Sequence, residues 1–262
     1  MSSSEILYGP NSMAYDTYAV VSPVPGFFND GRIAYRHQFP LGKQLVTIDG
    51  RKFRFGAAGA STLVIGNVLT AGVLTASQQD LTPAAGAVND RSISLTTGAS
   101  TARNVFAEGW AQTSVTPGIA QTYLIGSHDT MTTAAGDLVY LAAGHAVREA
   151  ITTSSRFNLV DNPYFRLIQV PATTIASIPM GVAVSAPTTL RGCWIGTRGV
   201  FGVLVAGTII AGNRVVAPMG TAGAVGPETA VAATSKIEVT VGHAVFASAT
   251  GAASPIFLTL DG

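Results

Sequence analysis

Along the chain, apolar residues recur in runs of four to eight, separated by Gly, Pro, Asn, Asp and Ser. Short strand-like runs dominate, and stretches with the helical period of 3.6 are nearly absent. This pattern predicts an all-β fold: a β-sandwich or β-barrel body, which two small β modules would also satisfy, with an irregular N-terminal arm. Asp49-Gly50 predicts a β-hairpin closed by a two-residue type I′ turn. In that register Val46, Ile48, Phe53 and Phe55 share one face, while Thr47, Lys52 and Arg54 share the other. Further strands are predicted over 61–69, 92–95, 122–125, 138–141, 157–160, 165–170, 181–185, 191–195, 202–205, 214–217, 236–246 and 255–260. Pro163, Pro171, Pro179 and Pro187 bracket several of them, as expected where a ladder ends. The one helix candidate covers 144–152, too short to stand without packing.

The first forty residues break the pattern. Pro10, Pro23, Pro25 and Pro40 interrupt any regular element, yet Tyr8, Tyr15, Tyr18, Phe27 and Phe28 are too aromatic for a solvated tail. Such a segment is ordered by lying on a surface, either its own body or a neighbouring subunit. These five aromatics are therefore the candidate interface residues. The expected organisation is an arm at 1–40, a β-rich domain with long inserted loops at 41–190 and a C-terminal β module at 191–262, which continuity with the preceding domain would also satisfy. The Ala/Thr/Gln/Gly-rich stretch 70–101 reads as a long excursion between strands, and 218–235 as a small-residue surface loop. One internal echo is visible: Thr62-Leu-Val-Ile-Gly-Asn and Thr208-Ile-Ile-Ala-Gly-Asn share a pattern, each followed by a Val-containing strand. Two related β modules produce such an echo, and so does chance in a Gly/Val-rich chain.

Charge sharpens the picture. The 262 residues carry 15 Lys+Arg and 14 Asp+Glu, a net charge of +1 and a charged fraction of 11%, where about 25% is ordinary. A folded monomer of 26.8 kDa exposes roughly 11,000 Å². So sparse a charge leaves two explanations: an uncharged polar coat, or a surface covered by other protein. It offers no cationic footprint for DNA or RNA. The mean hydropathy of +0.38 speaks against disorder. No run approaches the 18 apolar residues of a membrane helix, so neither nucleic acid nor membrane is expected as a partner. The N-terminus lacks the basic and apolar regions of a secretory signal. The single Cys193 allows no internal disulfide, which suits synthesis in a reducing cytoplasm.

The search for reaction chemistry ends without a site. Neither G-x-x-x-x-G-K-S/T nor G-x-G-x-x-G nor G-x-S-x-G occurs, and one Cys cannot build a thiolate zinc cluster. His128-Asp129 and the His145/Glu149 pair, which would share a face of a 144–152 helix, are the only acid–base or metal-ligand candidates. Their spacing matches no metalloprotease pattern, and Ser127 beside them cannot form a triad, because consecutive residues point apart. No catalytic, cofactor or metal residues are expected, and the chain reads as a non-enzyme. Trp110 and Trp194 are the only tryptophans, and Trp194, between glycines, reads as a core anchor.

The run Gly42-Lys-Gln-Leu-Val-Thr-Ile-Asp-Gly-Arg-Lys-Phe-Arg-Phe is followed by Gly59-Ala-Ser-Thr-Leu-Val-Ile-Gly-Asn-Val-Leu. Later come Ala150-Ile-Thr-Thr-Ser-Ser-Arg-Phe-Asn-Leu-Val-Asp-Asn-Pro-Tyr, Gly192-Cys-Trp-Ile-Gly-Thr-Arg-Gly-Val, Ala206-Gly-Thr-Ile-Ile-Ala-Gly-Asn and Thr221-Ala-Gly-Ala-Val-Gly. Over 42–262 this series resembles a family of tailed-bacteriophage virion proteins encoded among head genes, the capsid decoration or cement proteins. The resemblance implies binding to the outer face of an assembled shell, reinforcement against internal DNA pressure, and the major capsid protein as partner. It further implies a homotrimer or other symmetric oligomer, and a place on the virion surface. It carries over no site residues. Two other classes stay open at this level: a virion or surface module that binds host glycans, and a tail or baseplate component.

Overall fold

The computed structural model describes residues 6–18, 39–73, 76–173, 177–217, 220–228 and 238–261. The chain is all-β, as its pattern predicts. The strands are β1 (Leu7–Gly9), β2 (Thr17–Tyr18), β3 (Gln44–Thr47), β4 (Lys52–Ala57), β5 (Val68–Thr70), β6 (Thr82–Pro83), β7 (Ser92–Thr96), β8 (Trp110–Val115), β9 (Thr122–His128) and β10 (Ala135–Leu141). They continue with β11 (Arg156–Val160), β12 (Ile168–Gln169), β13 (Pro179–Ala183), β14 (Gly192–Leu204), β15 (Arg214–Ala217), β16 (Gly226–Pro227), β17 (Val239–Ala244) and β18 (Ala253–Thr259). Among the described residues the helical elements are two short 3-10 turns, Asn11–Tyr15 and Ala76–Gln78.

The chain divides into two compact units, and the division is an insertion. Residues 6–18, 39–73 and 163–261 form the first unit, and 76–162 form the second, leaving after β5 and returning before β12. The boundary expected at 190/191 falls inside the first unit, where β13 and β14 pair across it, Ala183 opposite Ile195. The excursion expected after Thr70 is real, and it holds a folded unit rather than a loop.

In the second unit six antiparallel strands run in the order β11-β8-β9-β10-β7-β6. Leu81 and Phe157 exchange backbone hydrogen bonds of 2.8 and 2.9 Å, which joins the end strands and closes the sheet. Inside lie Ile93, Leu95, Phe106, Tyr123, Ile125, Met131, Val139, Phe157 and Leu159. The helix expected over 144–152 does not form. Ile151 bridges to Gly86, and Val147 exchanges backbone hydrogen bonds with Asn89 and Asp90, so the amides a helix requires are spent on neighbouring chain.

The first unit realises the echo seen in the sequence, residue by residue. Gly66 and Gly212 both turn with positive φ, +83° and +82°. Asn67 and Asn213 each donate their N–H three residues back, to Val64 and Ile210, at 3.1 Å. Gly66 bonds to the carbonyl of Ala183 and Gly212 to that of Ala244. Ala183 lies opposite Ile195, and Ala244 lies opposite Ile256. The parallel bridges Ala58–Leu167 and Val205–Val225 also correspond. The residues expected as a strand over 61–69 are therefore mostly this turn, with β5 starting at Val68.

Each repeat closes on itself as a five-stranded barrel. The first runs β4-β14-β13-β5-β12, and the Ala58–Leu167 bridge returns it to β4. The second runs β14-β18-β17-β15-β16, and Val205–Val225 returns it to β14. The single strand β14, thirteen residues long, belongs to both. Its two ends correspond to the strands expected at 191–195 and 202–205. Leu63, Leu69, Ala183, Cys193 and Ile195 fill the first barrel. The equivalent Ile209, Val215, Ala244 and Ile256 are buried in the second. Burial pushes the Cys193 thiol up to about 12.

The hairpin at Asp49-Gly50 forms in a different register from the expected one. Leu45 pairs with Phe53 and Val46 with Lys52. Thr47 N–H bonds to Arg51 O, Gly50 N–H bonds to Thr47 O, and Gly50 alone in the turn has positive φ, +80°. That geometry is a type I turn with a glycine bulge, which adds one residue to the loop. A one-residue shift exchanges the faces: Leu45, Phe53 and Phe55 enter the core, while Ile48 is 92% exposed.

Candidate interaction face

The N-terminal residues that are described lie on their own body. β1 pairs in parallel with β3, and β2 pairs with the start of β14. Ala14 is fully buried in the core of the first unit, with Leu7 and Met13 packed beside it. Of the five aromatics expected at an interface, Tyr8 on β1 is 74% exposed and Tyr15 is 46% exposed. Tyr18 pairs through its backbone with Gly192, its side chain lying outside the described residues. Phe27 and Phe28 also lie outside them.

Tyr15 and the hairpin tip meet at Arg51. The Arg51 guanidinium donates to the Tyr15 hydroxyl at 2.9 Å and to Asp49 Oδ2 at 2.6 Å. It stands within 6 Å of the Tyr15, Phe53 and Phe201 rings, a stacked cation that caps this end of the core. Beside it an open recess of about 460 Å³ is lined by Asp49, Arg51, Arg198, Gly199, Val200 and Phe257, among others. Val200 and Phe257 are cross-strand partners, 45% and 41% exposed. Sequence reasoning missed Arg198, Val200 and Phe257. The signal was present: Val200, Phe201 and Val203 put apolar residues on both faces of one strand, which is uneconomical unless both faces are covered.

The residues considered for chemistry do not converge. His128 is buried in the second unit, its Nε2 accepting from Phe106 N–H at 3.0 Å and its Nδ1–H donating to Asp129 O at 2.6 Å. Desolvation holds this imidazole below its ordinary value, only partly opposed by Asp129. His145 Nδ1 accepts from Leu124 N–H instead, and Glu149 is exposed. Among the described residues no three His, Cys, Asp or Glu gather as a metal site. Trp194 is fully buried, packed edge-on to Phe55 at 5.2 Å, as its position between glycines predicts. Trp110 is half-buried.

No protein-family model, curated protein or solved structure matches this chain.

Proposed function

We propose that this chain is a structural virion protein that binds the outer surface of a bacteriophage capsid and stabilises the shell. The observation that carries the reading is the abundance of large exposed apolar side chains on the first unit, with Tyr8, Tyr15, Ile48, Val200, Phe246 and Phe257 among them. Shell reinforcement needs broad adhesive area rather than a cleft, and grouped exposed apolar side chains mark protein contact surfaces. The 11% charge fits the same demand, since little charge has to be desolvated when a neighbour covers the surface. The partners in this reading are the major capsid protein and further copies of the chain in a symmetric oligomer. A glycan-binding role is less well supported, because Trp194 is buried in the core and cannot stack on a sugar.

The test mixes the purified chain with undecorated phage capsids and sediments them. Saturable co-sedimentation, with a raised capsid melting temperature, is the expected result. Absence of binding at micromolar concentration removes the reading. Binding to isolated tails in place of heads converts it to a tail or baseplate role.

A further inference from the structure

The internal repeat exposes a mismatch between its two halves. The outward positions of the first barrel are Phe53, Phe55, Val68, Val182 and Trp194, and every one is fully buried. Leu7, Met13, Phe39 and Leu41 pack against this core, and Phe201 meets Phe53 edge-on at 5.3 Å. The repeat assigns each position a counterpart in the second barrel. Phe53 corresponds to Val200, Phe55 to Gly202, Val68 to Arg214, Val182 to His243, and Trp194 to Pro255. The pairings agree: Phe55 faces Trp194 as Gly202 faces Pro255, and Phe53 faces Gly196 as Val200 faces Phe257. Of these counterparts Val200, Gly202, Arg214 and His243 are exposed and Pro255 is half-buried, and Phe257, the cross-strand partner of Val200, is exposed as well. One barrel wears its outer cover, and the equivalent face of the other is open.

The charge on the open face states what covers it. Arg214 is neutralised by Glu228, with Nε to Oε2 at 2.9 Å, and Arg51 by Asp49. Arg198 is half-buried in the recess beside Val200 and Phe257; Asp49, which lines the same recess, is taken by Arg51, and no ion pair joins a carboxylate of the described residues to Arg198. A cation set among apolar groups is best matched by a carboxylate flanked by apolar side chains. A second copy stacking as the repeats do within the chain does not supply this. The inward residues of the first barrel are themselves buried and carry no acid.

Resting on the capsid reading above, we infer that the outward face of the second barrel, centred on Arg198, Val200 and Phe257, is the docking surface for a shell protein segment that presents a carboxylate between apolar side chains. The experiment compares the full-length protein with Arg198→Glu, Phe257→Ser and a control, Ile119→Ser, whose side chain is 59% exposed on the second unit. Each is titrated onto undecorated capsids, with sedimentation velocity run on the free proteins. Wild type and control are expected to bind within twofold of each other, and both face variants at least tenfold more weakly. Added salt should weaken wild-type binding more steeply than that of Arg198→Gln. If Arg198→Glu loses cooperative unfolding, Arg198→Gln and Phe257→Ser carry the comparison. Face variants that bind like wild type overturn the docking site and leave the capsid reading standing. Wild type that fails to bind overturns both. Self-association abolished by Arg198→Glu, with capsid binding unchanged, also overturns it and makes the face a contact between copies.

Discussion

At the scale of single residues, His128 shows how a side chain suited to catalysis is spent on structure. Its ring accepts one backbone N–H and donates to one backbone carbonyl, so the neutral tautomer is fixed from both sides. Protonating Nε2 would set an N–H against the Phe106 N–H. Burial therefore holds the folded value below 6.5, while the unfolded chain titrates near the ordinary value, about 6.5. Above that pH the stability is complete. It falls as pH drops below the unfolded value, because the unfolded state then binds the extra proton, and levels off below the folded value. Urea unfolding of wild type between pH 8 and 5 is expected to show this loss, and His128→Gln to show less of it. Equal pH profiles would contradict the assignment. The sequence marks His128 only by its neighbour Asp129; the partner that matters, Phe106 N–H, is 22 positions away and leaves no trace in local spacing.

At the scale of elements, the repeated turn is the unit from which the first body is built. Gly212 isolates the backbone contribution, because a methyl group placed on it would meet nothing within 4 Å, while its φ of +82° disfavours any other residue. Gly212→Ala is expected to cost about 1–2 kcal/mol through that conformation, read as a lower urea midpoint at unchanged slope. No change would mean that the turn relaxes freely. Elements were legible where alternation and turn chemistry agree, as in β7, β11 and β15. They were obscured where glycine serves packing instead of turning. Gly196 interrupts the apolar run of β14, yet it sits under the Phe201 ring, 2.6 Å from where a side chain would begin. The strand continues past it, with a break in register before Arg198. The hairpin register escaped for another reason: Asp-Gly suits both the two-residue turn and the type I turn with a bulge. Only the pairing of Leu45 with Phe53 decides between them.

At the scale of the whole molecule, the second unit enters and leaves through neighbouring strands. β5 and β12 are antiparallel partners, Thr70 opposite Ile168, so the chain departs and returns across one ladder. Replacing residues 74–162 with a short Gly/Ser linker is expected to leave the first unit folded, and 76–162 expressed separately to unfold cooperatively, each followed by circular dichroism on heating. Loss of cooperative unfolding in both pieces would contradict the division. The insertion was legible as a change of composition after Thr70, but not as a body, because its strands share the pattern of those around them. The openness of the second barrel's outer face was not legible at all. It emerges when Val68 is set against Arg214 and Val182 against His243, a comparison that needs the repeat's hydrogen bonds to fix the alignment.

The strand common to both barrels gives the first unit a mechanical character. β14 runs thirteen residues, with a break in register between Gly196 and Arg198. One half is clamped between β4 and β13, and the other is held along β18. A pull along this strand loads those ladders in shear, many bonds at once, instead of peeling them one by one. A load that strips β14 free along its whole length takes a stave from both barrels.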